Sequence, residues 1–498
     1  MNDSEKSDEV ILPPKRANNA AEAAAEFVEG RASAKRNIDT LTAARTQSRS
    51  TASRSLDGVR KVARMHRDEK FTSLLHYLDV ERLRESFYAL KRHSAPGCDG
   101  LRWKEYQDGL EKRLVDLHDR IHRGSYRAMP ARRTQIPKAD GGQRSLSIWC
   151  LEDKIVQQAV VSVLNAIYEQ DFLGFSYGFR GGKSQHDALD ALSVGITRRK
   201  VNWILDADIQ SFFDQIDHDW MLRSLEHRIA DRRILRLIRK WLEVGVLNEE
   251  GRRLPSERGA AQGAVISPLL ANIYLHYVLD LWSLKWRNRC ATGDMIIIRY
   301  ADDVVMGFQL KNEARRFREQ LEQRLALFSL NLHPKKTKMI RFGRWARRDS
   351  KQLEGVKPKT FDFLGFTHYC TITMLNNRFA VGRKTIKRRM VSSLQVIKRE
   401  LRRRMHRPIG ETGLWLHRVL MGHMNYFYVP GNYRSVAYFF NGVERLWLRS
   451  LRRRSQRHRM TWARFRHIRS FFFPPILVKH EYPSSRFDAK TQGRSPVR

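Results

Sequence analysis

Acidic residues are scarce in this sequence. It has 53 Asp and Glu against 93 Lys and Arg in 498 residues, a formal net charge of +40. An excess of that size goes far beyond what solubility needs and points to a polyanionic partner. A basic membrane-surface protein is the rival reading. Long apolar runs are missing too: none reaches the ~18 residues of a spanning helix, and the N-terminus shows neither a secretory signal nor an amphipathic anchor. No membrane is therefore expected, and a cytoplasmic location is. Cysteine is rare, with Cys98, Cys150, Cys290 and Cys370 scattered and no C-x-x-C pair. That pattern suits a reducing compartment and argues against a structural zinc site. Gly181-Gly-Lys-Ser184 lacks the first glycine of a phosphate-binding P-loop. Hydrophobic residues make up 42% of the chain, enough for a sizeable core in several subdomains.

Two stretches carry the chemistry. Met295–Phe308 reads as a β-hairpin, two β-branched apolar runs around a short polar turn bearing Asp302 and Asp303. Two adjacent carboxylates at a turn between apolar strands repel each other and lose hydration, a cost that a divalent cation removes. Asp is also common in ordinary surface turns, so the hairpin alone leaves both readings open. The second stretch, Trp203–Asp214, reads as a strand with Asp208 near its end. One strand carboxylate beside a hairpin bearing two more is what two-metal nucleotidyl transfer requires, with ions roughly 4 Å apart.

Tyr300-Ala-Asp-Asp303 resembles the catalytic box of reverse transcriptases, and Asp208-Ile-Gln-Ser-Phe-Phe-Asp214 resembles their first metal-binding motif. Gln262-Gly-Ala-Val-Ile-Ser-Pro-Leu-Leu-Ala-Asn-Ile-Tyr-Leu275 is similar, more specifically, to the reverse transcriptase/maturase proteins of bacterial group II introns. The likeness covers about residues 60–480. It implies an α+β fold of the right-hand polymerase kind: a basic extension over 1–60, fingers over 61–200, a palm over 201–375, a three-helix thumb/maturase domain over 376–452 and a basic RNA-binding extension over 453–498. It also implies two Mg²⁺ ions, with Mn²⁺ as a substitute, on Asp208, Asp302, Asp303 and the Ile209 carbonyl. Some relatives append a zinc-bearing endonuclease module; the cysteine pattern points to the form lacking it.

Further residues take roles from the same resemblance. Ile136–Ile148 reads as a hairpin about an Asp-Gly-Gly turn, with Lys138 and Arg144 across from each other. In the family such a pair contacts the triphosphate of the incoming nucleotide. Lys336 matches a further lysine near it, Phe213 the steric gate that admits deoxynucleotides, and Gln262 a residue at the nucleotide. Arg180, in Tyr177-Gly-Phe-Arg180, falls near the template path. Leu364 and Gly365, in Phe361–Phe366, resemble the primer grip. Pro268 and Ser267 suit a helix start, and a short helix is expected over Ala20–Phe27.

The last third is basic. Ile386, Met390, Leu394, Ile397, Leu401 and Met405 step by three and four along one helix face, and Arg383–Met405 carries ten Lys or Arg and one acid, Glu400. Helices are expected over Leu414–Tyr428 and Tyr433–Leu451. Arg445–Arg469 holds ten Arg, two Trp and no acid, a mixture of cations and aromatics that fits structured RNA. Arg388, Arg389, Arg402, Arg403, Arg452, Arg453 and Arg454 are the candidate RNA contacts. Gly422–Phe427 and Gly431–Arg434 resemble the maturase domain. The function expected is RNA-directed DNA synthesis from dNTPs on an RNA template with a DNA primer, together with binding of group II intron RNA for splicing and of target DNA for mobility; a homodimer is compatible with this. The alternatives are a stand-alone reverse transcriptase of a defence or CRISPR-linked system and an RNA-binding splicing cofactor without polymerase activity.

Overall fold

The structure is a computed structural model that describes residues 56–137, 143–346, 358–373, 377–454 and 460–492. The segment Ala20–Phe27 lies outside them. The chain divides into two compact units. Among the described residues the larger takes in those up to 360, 370–381 and those from 487 on, and the smaller 361–369 and 382–486.

The larger unit is helical around two sheets. Strands β1 (Ala131–Pro137) and β2 (Gln143–Ile148) form an antiparallel hairpin. The long helix Leu151–Asp171 follows, then the helix Gln185–Arg198, whose N-terminus is closed by a capping box. There the Ser184 Oγ accepts from the Asp187 backbone N–H and the Asp187 carboxylate accepts from the Ser184 N–H. This cap is what the Gly-Gly-Lys-Ser stretch builds in place of a phosphate loop. Strand β3 (Trp203–Asp208) comes next, then β4 (Val246–Leu247) and β5 (Arg253–Leu254), which extend the first sheet in the order β2-β1-β4-β5.

Strands β6 (Met295–Tyr300), β7 (Asp303–Phe308) and β8 (Lys338–Arg341) complete a second sheet, ordered β6-β7-β3-β8. All six residues of β6 are buried, which is why the run reads as continuously apolar rather than alternating. The helix Ser267–Leu275, with Pro268 in its first turn, passes through a π-helical turn, His276–Asp280, into the helix Leu281–Cys290. A single core joins these helices to the sheet, with Ile155, Val163, Leu205, Leu270, Tyr274 and Met306 all buried in it. All four cysteines are free, but the Sγ atoms of Cys98 and Cys150 are only 3.3 Å apart, a proximity that sequence spacing did not suggest.

Strand β9 (Phe361–Phe363) pairs antiparallel with β10 (Phe366–Ile372), and β11 (Phe379–Thr385) completes a three-stranded sheet. Helices Lys387–Arg403, Ile409–Phe427, Tyr433–Arg452 and Trp462–Phe472 share a second core around Leu416, Phe439 and Trp447. Two sequence expectations change here. Arg383 is buried on β11 rather than set on a cationic helix face. Trp447 is fully buried and stacks on Phe473 with ring centroids 5.8 Å apart, so it is core rather than an RNA-stacking aromatic. Trp462 is exposed.

Candidate active site

Strand register builds the site. Along β3 and β7 the partners run from Trp203 opposite Phe308 to Asp208 opposite Asp303, and on the next strand Tyr300 faces Asp303. Directly opposed residues share a face of the sheet, so a stretch 95 residues distant in sequence delivers a second carboxylate beside Asp208. Asp302 stands in the two-residue turn that joins β6 to β7. Ala301, the other turn residue, has φ +55°. A positive φ at the first turn position matches the strand twist in a tight hairpin, at a steric cost that a non-glycine residue bears only when its surroundings enforce it.

Those surroundings are specific. Arg299, the one charged residue in β6, is wholly buried. Its guanidinium donates to both oxygens of Asp280 at 2.7 and 2.5 Å, to the Asn272 Oδ1 at 2.9 Å and to the Ala301 carbonyl at 3.0 Å. Asn272 in turn donates to the Gly178 carbonyl at 2.7 Å. Gly178 lies so close behind the turn that a Cβ on it would sit 2.3 Å from the Ala301 nitrogen. The Tyr177 N–H and the Arg299 carbonyl bond at 2.8 Å, and the Arg299 N–H and the Phe175 carbonyl at 2.9 Å. Sequence reasoning missed Gly178, Asn272, Asp280 and Arg299. The available signal was a lone Arg in a buried apolar strand and a lone Asn and Asp on apolar helical turns, each of which needs a buried partner.

Asp208 is held from the other side. Its carbonyl accepts from the His333 N–H at 2.7 Å, and Ile209 is buried and bridged to Leu332. The Lys336 Nζ is 2.9 Å from the Asp208 Oδ2, as an ion pair without hydrogen-bond alignment, so that buried oxygen has no hydrogen bond. Two directly opposed carboxylates that share one lysine ammonium, on Asp208, carry surplus negative charge that fits a divalent cation. Among the described residues no three His, Cys, Asp or Glu side chains already converge as a metal cluster. Mg²⁺ held by one or two carboxylates takes its remaining ligands from water and phosphate oxygens, so these residues suit a cation that arrives with its substrate.

The loop before Ser267 brings two further candidates to this unit. The Ala260 N–H donates to the Phe213 carbonyl at 2.8 Å, and the Gln262 carbonyl accepts from the Ser147 N–H at 2.7 Å. Gly263 has φ +110°, and a Cβ there would meet the Ser147 oxygen at 2.5 Å, so glycine is required for this loop to lie against β2. Gln262 and Phe213 are half-buried, and Phe212 is core.

Other candidates fall differently. Lys138 lies outside the described residues, and the cross-strand partner of Arg144 is Ile136 rather than Lys138. Arg180 is a correction. It is buried, its Nε and Nη2 pair with Glu169 at 3.1 and 3.0 Å, and its Nη1 donates to the Leu173 and Ser176 carbonyls at 2.8 Å each. Those donors tie down the segment that runs alongside Arg299 and are spent on the protein rather than on a template. In the smaller unit, Leu364 (φ +45°) and Gly365 (φ +85°) form the β9–β10 turn. Their carbonyls are taken by the Tyr426 hydroxyl at 2.8 Å and the Ile386 N–H at 3.1 Å, and the Arg389 guanidinium covers the Cα edge of Gly365, where a Cβ would lie 3.0 Å from its Nη1. Arg388, Arg389, Arg402, Arg403, Arg452 and Arg453 are exposed and Arg454 is half-buried, its guanidinium bonding the Arg407 carbonyl.

Residues 136–368 match the family described as reverse transcriptase (RNA-dependent DNA polymerase). That stretch resembles a reverse transcriptase domain, and group II intron-encoded proteins are among the similar proteins. Protein YkfC of Escherichia coli K12 is 34% identical over 241 residues, 42% of this chain and 62% of that protein. The group II intron-encoded protein LtrA of Lactococcus lactis is 33% identical over 236 residues, covering 45% of this chain and 38% of LtrA. An uncharacterized 91 kDa protein in a cob intron of Schizosaccharomyces pombe is 39% identical over 173 residues, 34% of this chain and 21% of that protein. The matched stretches thus span less than two thirds of these relatives. The matched residues include Asp208, Gln262, Asp302, Asp303 and Lys336, and their fold is α+β. Among the described residues no helix is long and apolar enough to cross a membrane.

Proposed function

We propose that this chain is an RNA-directed DNA polymerase that also binds group II intron RNA to promote its splicing and copies that RNA during mobility. The observation that carries the polymerase reading is the direct opposition of Asp208 and Asp303 on adjacent strands, with Asp302 at the turn and the Lys336 ammonium against Asp208. On this reading the larger unit supplies fingers and palm, and the helices of the smaller unit supply the thumb and maturase surface.

Asp208, Asp302 and Asp303 would hold two Mg²⁺ ions with the Ile209 carbonyl, and bound Mg²⁺ would lower the pKa of the primer 3′-hydroxyl and neutralise charge on the leaving pyrophosphate. The chain's own residues do the rest. Lys336, paired with Asp208, would pass from that carboxylate to an incoming triphosphate. The Phe213 ring, backed by Phe212 at 5.3 Å between centroids, limits the room beside the sugar and so favours dNTPs. Arg299, Asp280 and Asn272 fix the turn that carries Asp302, so the carboxylates need no rearrangement when substrate binds. The exposed arginines of the smaller unit favour the RNA-binding part of the reading, since they outnumber the acids beside them, as over Arg383–Met405, where ten Lys or Arg share one acid, Glu400.

Primer extension on an RNA template with dNTPs and Mg²⁺ tests the polymerase reading. Wild type should make DNA and Asp302→Asn should lose it by about 10²–10³-fold, the scale of a lost electrostatic contact at the reacting centre. Synthesis by Asp302→Asn near the wild-type rate would refute the carboxylate assignment. A wild type that makes no DNA yet binds its flanking RNA tightly would leave the splicing-cofactor function alone.

A further inference from the structure

Cys98 and Cys150 stand 52 positions apart in the chain, yet their Sγ atoms lie 3.3 Å from each other. The backbone explains the approach. The Gly100 N–H donates to the Gly97 carbonyl at 3.4 Å, closing a turn with Cys98 and Asp99 at its centre. Gly97 lies directly against the residue that precedes the helix Leu151–Asp171. A Cβ on Gly97 would sit 2.5 Å from the Cys150 Cα and 2.7 Å from the Cys150 Sγ, so a glycine is required there. The loop is tied to the same place by two long side chains. The Lys154 Nζ donates to the Ala95 carbonyl at 3.3 Å, and the Arg132 Nη2 to the Pro96 carbonyl at 3.2 Å. All of these residues belong to the larger unit.

Packing accounts for Cys150, which is buried. It does not account for Cys98, which is half-buried on a loop whose next two residues, Asp99 and Gly100, are exposed. Solvent therefore reaches one sulfur, and the second stands in contact behind it. Burial pushes the Cys150 thiol up, so that sulfur keeps its proton and is the poorer first nucleophile. An accessible sulfur with a second one poised to resolve it is the arrangement of a reversible oxidation site. The Cys150 backbone is fixed at the helix start, where its carbonyl accepts from the Lys154 N–H at 3.1 Å. The small shift that bond formation requires thus falls to the 94–100 loop, whose ties through Lys154 and Arg132 can follow it.

We propose that Cys98 and Cys150 form a reversible oxidation site, at which a hydroperoxide closes a disulfide that staples the 94–100 loop to the junction between β2 and the helix Leu151–Asp171. The site is independent of the polymerase reading. With hydrogen peroxide, the Cys98 thiolate attacks one peroxide oxygen and the O–O bond breaks. The departing oxygen takes up the proton shed by Cys98 and leaves as water, giving the Cys98 sulfenic acid. The Cys150 sulfur then attacks the Cys98 sulfur, and the sulfenyl hydroxyl leaves with the Cys150 proton as a second water. The two sulfurs lose two electrons and the peroxide gains them. The full chain, purified in the reduced state, is treated with hydrogen peroxide, alkylated, digested without reductant and mapped by mass spectrometry. The peptides bearing Cys98 and Cys150 should be joined, and dithiothreitol should separate them. Oxidised wild type should melt a few degrees above reduced wild type, because the bond closes a long loop in the unfolded chain. Cys98→Ser should melt alike with and without peroxide. Both thiols left unmodified, Cys98 recovered as sulfinic acid with Cys150 still alkylated, a disulfide between two chains, or oxidised and reduced wild type melting together would each overturn the proposal. The peptide map of wild type needs no variant, so it decides even where Cys98→Ser folds poorly. No readout involves DNA synthesis, so failure of this site and failure of the polymerase reading are separate results.

Discussion

Gly178→Ala adds one methyl group, 25 residues N-terminal to β3 and 124 before Asp302, and should disable DNA synthesis. The new Cβ would lie 2.3 Å from the Ala301 nitrogen and 3.0 Å from the Tyr300 carbonyl carbon. Real Cβ contacts rarely fall below 3.0 Å, so the turn or the Tyr177–Phe179 segment must move by at least about 0.7 Å, the gap between those two distances. Neither can move freely. The Gly178 carbonyl is held by Asn272, the Tyr177 N–H by the Arg299 carbonyl, and the Ala301 carbonyl by the Arg299 guanidinium. Overpacking of this kind costs about 1–3 kcal/mol, and a displacement approaching 1 Å at reacting groups costs on the order of 10²-fold in rate. Gly181→Ala is the control, because its Cβ meets nothing within 4 Å. Steady-state primer extension on an RNA template, with thermal unfolding in parallel, reads both effects. Gly178→Ala should keep its fold, unfold at a lower temperature and lose on the order of 10²-fold in kcat, while Gly181→Ala matches wild type. A Gly178→Ala protein with wild-type kcat would show that the contact behind the turn does not position the carboxylates.

Three more outcomes follow from the same geometry. Arg180→Ala should lower stability by about 3 kcal/mol, since two buried carbonyls and Glu169 lose a charged donor, with RNA affinity of the folded protein unchanged; chemical denaturation and filter binding separate the two. In the smaller unit, burial depresses both His368 and His423 to about 3. Folded His that resists protonation binds fewer protons than the unfolded chain below its ordinary pKa near 6.5, so stability should be full above that pH and fall as pH drops toward 3. The loss should reach about 2 kcal/mol per histidine at pH 5. Denaturation midpoints of wild type and His423→Phe, whose ring would keep the 3.6 Å stack on Phe439, should diverge as pH falls; parallel midpoints would refute the assignment. Arg402→Gln with Arg403→Gln should weaken RNA binding uniformly across sequences and reduce the log–log salt slope by about two, measured by titration at several salt concentrations.

The sequence by itself determined the elements and the chemistry that sit on them. A hairpin around two aspartates, a strand ending in a third, a helix opening at Ser267-Pro268 and amphipathic C-terminal helices all rest on short-range rules: alternation, turn composition, caps and 3.6-residue spacing. Those rules act over a few residues, so they are legible wherever they occur. The acid deficit likewise needs no fold to imply a polyanion. Only the tertiary structure decided which polar residues face a partner and which hold the scaffold. Arg180 and Trp447 look from sequence like an RNA contact and a stacking surface, yet both are buried and spent on the protein. Arg299, Asp280, Asn272 and Gly178 look like isolated oddities in apolar runs, yet they meet behind one turn. Burial and strand register bring together residues separated by tens to hundreds of positions, and a buried cation is tolerated only where those distant partners converge. That convergence is a property of the packed chain, which no local pattern encodes.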